Sequence, residues 1–109
     1  MEKYTINIAK DFSPRLGGRY RRLGKFSGEE FFEEILEKKY LEAKKNNEQL
    51  HIYMDGASPY GSSFIGQSFG ELGFKYGGSV VKKIIVFHSE LYKWIADYII
   101  DDVWKEREE

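Results

Sequence analysis

The sequence predicts a single α/β domain spanning residues 1–109, in which about four mostly parallel or mixed strands pack with about three helices. Three observations predict it. Apolar stretches of strand length at residues 4–8, 50–55 and 84–87 alternate with longer segments whose apolar residues recur at helical spacing. Strands alternating with helices imply crossover connections and hence a largely parallel sheet. A chain of 109 residues, 41% hydrophobic and 17% aromatic, has enough apolar area for one core.

In "YTINI", Tyr4, Ile6 and Ile8 alternate with Thr5 and Asn7, the period of a half-buried strand, and an antiparallel edge pairing is open to it. Pro14, Gly17 and Gly18 break that strand. "RYRRLGKF" fits a short edge strand and a loop equally. Ser27 and Glu30 have capping-box spacing and open a helix. Its inward stripe is Phe31, Ile35, Leu36, Tyr40 and Ala43, with Glu33, Glu37, Lys38, Lys44 and Lys45 facing water. "LHIYMD" is a strand with Leu50, Ile52 and Met54 on one face, followed by the loop "GASPYG". The next helix, "SSFIGQSFGELGFKYG", turns Ile65, Phe69, Leu72 and Tyr76 inward and stops at Gly77 and Gly78. The unbroken run from Ile84 to Phe87 reads as a central strand buried on both faces. Ser89 then caps a last helix, with Leu91, Trp94, Ile95, Tyr98, Ile99 and Val103 inside.

Composition removes several function classes. The formal net charge of −1 gives no overall attraction to nucleic acid or an anionic membrane. With no cysteine there is no disulfide framework, no thiol nucleophile and no zinc site of the cysteine type. No stretch approaches the ~20 apolar residues of a membrane span, and the N-terminus has no signal-peptide core. A bacterial or phage cytoplasm is the simplest address. The acidic tail "KEREE" reads as a solvated face.

Two features invite a functional reading. Gly66, Gly70, Gly73 and Gly77 recur at helical spacing, and the three inside the helix cost about 3 kcal/mol against alanine. Close approach of another backbone would offset that cost, from the chain itself or from a partner. Ser62 and Ser63 open the same helix; one suits the N-cap, and a phosphate there would meet free N–H groups and the positive end of the macrodipole. The second feature is basic: Arg15, Arg19, Arg21, Arg22 and Lys25, with no acid among them, form an anion-binding candidate, or else a solvated edge whose charge blocks pairing.

Other motifs fail. "GRYRRLGKFS" has Arg19 where a phosphate loop needs its first glycine and Phe26 where it needs Ser or Thr. His51 and His88 have no carboxylate at ligand spacing, so neither a metal site nor a cofactor is expected. Ser62, His88 and Asp55 all map to strand ends, yet "YGSSF" is not a nucleophile elbow, so no catalytic residues are expected.

"LHIYMDGASPYGSSFIGQSFGEL" resembles the central strand, loop and helix of STAS-like domains, relatives of the sulfate-transporter and anti-sigma-factor-antagonist domain. "GGRYRRLGKFSGEEFFEEIL" is similar to the Arg, Gly and "SGEEF" segment of the small STAS-like family of unknown function. The resemblance covers residues 12–77. It implies a partner-switching domain whose phosphoacceptor matches Ser62, with Gly61 replacing the Asp of the family's "DSS", and an acidic residue more usual at Gln67. It also implies a partner of the histidine-kinase-type ATPase class. On this basis Asp55, Tyr60, Gly66, Gln67 and Gly70 form the expected partner-binding surface, with Ser62 and Ser63 as phosphoacceptors. The alternative is a phosphate-ligand, nucleotide or nucleic-acid binding module using residues 15–25. Exposed aromatics would also support a homodimer, although Trp94 and Trp104 fit the core equally well.

Overall fold

Ile6, Leu50, Ile52 and Ile85 are almost fully buried while their neighbours Thr5, His51 and Val86 are not, so alternation along three strands defines one covered and one more open sheet face. The computed structural model describes residues 2–105; of the tail "KEREE", residues 106–109 lie outside the described residues. The strands are β1 (Tyr4–Asn7), β2 (Leu50–Tyr53) and β3 (Ile85–His88). They form a sheet in the order β1-β2-β3 with both pairings parallel. Tyr4 pairs with Leu50 and Leu50 with Ile85; Asn7 pairs with Tyr53 and Tyr53 with His88.

Besides a π-helical turn at Ile8–Phe12 after β1, four longer helical runs connect and cover these strands: α1 (28–45), α2 (62–76), α3 (Gly78–Ile84) and α4 (93–103). α1, α2 and α4 each contain a π-helical stretch, Phe32–Leu36, Gly66–Gly70 and Ile99–Val103. Ser27 starts α1 as its spacing predicts: its hydroxyl accepts from Glu30 N at 3.1 Å, and the Glu30 carboxylate reaches back to Phe26 N at 3.2 Å. Phe31, Leu36, Tyr40 and Ala43 are buried and Ile35 is half-buried. A single cluster joins them to Phe64, Phe69, Leu72 and Trp104. Among the described residues no helix is long and apolar enough to cross a membrane.

The structure differs from the sequence reading at several points. There is no fourth strand among the described residues. The segment after Pro14 offers one isolated bridge, Arg15 to Ser58, and a 3₁₀ turn at Arg21–Leu23, because Gly24 and Phe26 take positive φ and end any extended run. β1 is parallel to β2, and β2 is the central strand; β3 lies at the edge. Residues 78–84 are helical although Val80, Val81 and Ile84 favour strand, and Gly78 packs against the Trp104 carbonyl so closely that a Cβ would lie 2.0 Å from it. In α4, which starts at Lys93, Leu91, Trp94 and Tyr98 point to solvent; Ile95, Ala96 and Ile99 form its buried side. Glu37 is also not simply exposed: it accepts from Lys75 Nζ and Tyr76 Oη, each at 2.6 Å.

Candidate functional site

The front of α2 is where the sequence places its phosphoacceptors. Gly61, not a serine, is the N-cap, and it makes no side-chain cap bond. Ser62 and Ser63 are both exposed, and neither hydroxyl makes a hydrogen bond among the described residues. The serines therefore give up the capping role that would have been their ordinary use. Four residues on from Ser62, and so one turn along the same face, Gly66 lies beneath Arg19: a Cβ at Gly66 would sit 3.3 Å from Arg19 Nη1. The Arg19 guanidinium, half-buried here, has no carboxylate partner among the described residues.

The chain anchors this arginine from below. Gly18 O accepts from Gly28 N at 2.9 Å and Arg19 O from Glu29 N at 3.0 Å, tying the segment to the first turn of α1. Gly28 in turn touches α2, since a Cβ there would lie 2.6 Å from Phe64 O. The rest of the basic segment is placed differently. Arg21 pairs with Glu33 and Glu34 at 3.2 and 2.9 Å, and Arg22 stacks over the Tyr20 ring at 5.2 Å. Arg15 and Lys25 are exposed. So one of five cations reaches the serine-bearing helix, and the expected anion clamp reduces to Arg19.

Of the expected partner surface, Tyr60 is buried and Asp55, Gly66, Gln67 and Gly70 are half-buried. The Tyr60 hydroxyl donates to Met54 O at 2.6 Å; burial pushes that phenol well above its ordinary pKa. Asp55 accepts from Ser89 Oγ at 2.5 Å, Glu90 N at 2.9 Å and Leu91 N at 3.3 Å, and the Ser89 bond above all holds its carboxyl below the usual range. It joins the end of β2 to the turn before α4. Along the glycine stripe, Gly70 meets Val103 and Gly73 meets Trp104. The close approach that offsets the glycines comes largely from the chain's own C-terminal segment. Gln67 and Gly66 remain half-exposed.

The open face of the sheet carries a group that spacing along the chain did not reveal. His51 Nδ1 and His88 Nε2 lie 2.8 Å apart, and Glu2 Oε2 stands 3.7 and 3.8 Å from them. Tyr53 Oη donates to Glu2 Oε1 at 2.6 Å and lowers the Glu2 pKa, while its ring stacks on His88. Parallel register does this, because residues paired across strands share a face and His51, Tyr53 and His88 fall on the same one. Neither histidine has a carboxylate at ligand spacing along the chain, yet the fold brings Glu2 to both. The imagined serine triad does not form: no hydrogen bond links Ser62, His88 and Asp55.

Compared with known proteins, the chain matches no family model, no curated protein and no solved structure.

Proposed function

We propose that the chain is a non-catalytic regulatory domain that binds a protein partner through the front of α2 in the cytoplasm, and that phosphorylation of Ser62 controls the contact. One observation carries the reading: Ser62 is exposed with no hydrogen bond to its hydroxyl among the described residues, and Gly66, one helical turn on, lies beneath an Arg19 guanidinium that has no ion-pair partner among the described residues. A phosphoserine adds nearly two negative charges and three strong acceptors. At this position those acceptors would meet the N–H groups at the start of a helix and a planar guanidinium suited to phosphate. The surface would switch from a neutral hydroxyl patch to an anionic knob fixed by Arg19. That the partner is a kinase-like ATPase rests on the resemblance to STAS-like domains alone.

The test uses the chain in its own cells. Mass spectrometry of the recovered protein should find phosphate on Ser62, and the proteins retained by Ser62→Ala and Ser62→Asp should differ. Identical partners for wild type and both variants, with no phosphate at Ser62, would end the proposal. The second reading, a phosphate-ligand or nucleotide module, draws on the same Arg19 placement. It requires nucleotides or inorganic phosphate to raise the melting temperature in an Arg19-dependent way.

A further inference from the structure

We propose that Glu2, His51 and His88 bind one divalent transition-metal ion of the zinc class on the open face of the sheet. Two imidazoles and one carboxylate are a donor set that suits zinc and its neighbours and leaves a coordination position for water or a further ligand. Magnesium and calcium, which take oxygen ligands, are poorly matched to it.

The geometry is close to what such an ion needs. Nitrogen and oxygen ligands at 2.0–2.1 Å around a tetrahedral zinc stand about 3.3 Å from one another. The three separations here are 2.8, 3.7 and 3.8 Å. The ring nitrogens must therefore part by ~0.5 Å and the carboxylate close by a similar amount. Glu2, exposed and ahead of β1, can make that adjustment, while both histidines are fixed on paired strands. The short contact between the rings means that one nitrogen donates and the other accepts. When the ion binds, the donating ring moves that proton to its other nitrogen, and both facing nitrogens then present lone pairs.

The surroundings hold the ligands in place. Tyr53 occupies one carboxylate oxygen of Glu2 with a 2.6 Å hydrogen bond and leaves Oε2 toward the imidazoles. Its ring lies 4.4 Å from the His88 ring at an interplanar angle of 11°, which restrains the imidazole. Tyr53 is thus a positioning residue of the kind that orients metal ligands from the outer shell. Nothing in the core requires histidine at either position, because the apolar face of the sheet is formed by Ile6, Leu50, Ile52 and Ile85.

The experiment titrates the full chain, with a native N-terminus and no residual affinity tag, with zinc chloride in a calorimeter, with magnesium chloride in parallel. One equivalent of zinc should bind and magnesium should not. Cobalt(II) should give the intense visible absorption of a four-coordinate site. His88→Gln should abolish the stoichiometric phase. Tyr53→Phe should weaken binding about tenfold or more without removing it. Glu2→Gln, at an exposed site outside the core, should also weaken it, and it keeps the proposal testable if a histidine variant fails to fold. Absence of a one-to-one phase in the wild type, or unchanged binding in Glu2→Gln and Tyr53→Phe, would overturn the proposal.

Discussion

The two ends of α2 use the same residue for opposite purposes. At its tail, half-buried Gly73 packs against the Trp104 ring and the adjoining Gly78 is buried against the Trp104 carbonyl, while the indole Nε1 donates to Phe69 O at 2.8 Å. At its front, Gly66 has only the tip of an arginine over it, and the serines ahead of it meet water. A stripe that looks uniform in sequence therefore packs on an indole at one end and under an arginine tip at the other. Backbone bareness at the tail lets two chain segments interlock; at the front it makes room for the Arg19 guanidinium.

Removing the indole tests the tail most severely. Trp104 stacks on Phe87 at 5.6 Å and 21° and meets Phe69 edge-on at 6.3 Å, so it holds α2, α4 and the edge strand together. Trp104→Ala should lower unfolding free energy by about 3–5 kcal/mol, as buried aromatic truncations do. Urea denaturation measures it. A loss below about 1 kcal/mol would mean that the tail is not packed as described.

How far this contrast could be read from sequence is instructive. Helical period, the Ser27–Glu30 capping box and the β2 face of Leu50, Ile52 and Met54 were legible because each depends on neighbours within a few residues. Residues 78–84 were not, because the valines favour strand locally and the helix is set by packing of Gly78 on Trp104, twenty-six positions away. The glycine stripe was visible, but which glycines face the chain and which face water depends on where Trp104 and Arg19 come to rest. The His51–His88–Glu2 group was hidden for the same reason: it exists only once strand register is known. The occupation of Asp55 by Ser89 likewise joins residues 34 positions apart.

A methyl group placed in the tail is the next test. At Gly73 a Cβ would stand 2.5 Å from Trp104 Cδ1 and 3.1 Å from its Nε1, closer than a packed ring can accept. The ring is held by its hydrogen bond and by Phe87, so it cannot swing aside without opening the core. Overpacking should outweigh the gain in helix propensity, and Gly73→Ala should destabilise by a net of about 1–2 kcal/mol. A more stable variant would show that Trp104 is free to move.

The same methyl group at the front should act in the other direction, and the effect is the smallest. At Gly66 the nearest atom to a new Cβ is Arg19 Nη1 at 3.3 Å, the end of a long side chain that can shift by a few tenths of an ångström. The helix gains what glycine had forfeited, so Gly66→Ala should stabilise by up to about 1 kcal/mol, or ~4 °C in Tm. Arg19→Gln in the wild-type background should leave stability nearly unchanged, because its guanidinium has no ion-pair partner among the described residues to lose. If Gly66→Ala instead destabilises as Gly73→Ala does, Arg19 is packed as firmly as Trp104 and the front of α2 is core. A stabilised Gly66→Ala means that natural glycine there sacrifices stability, and the space it keeps open beside Ser62 then has a use other than holding the fold together.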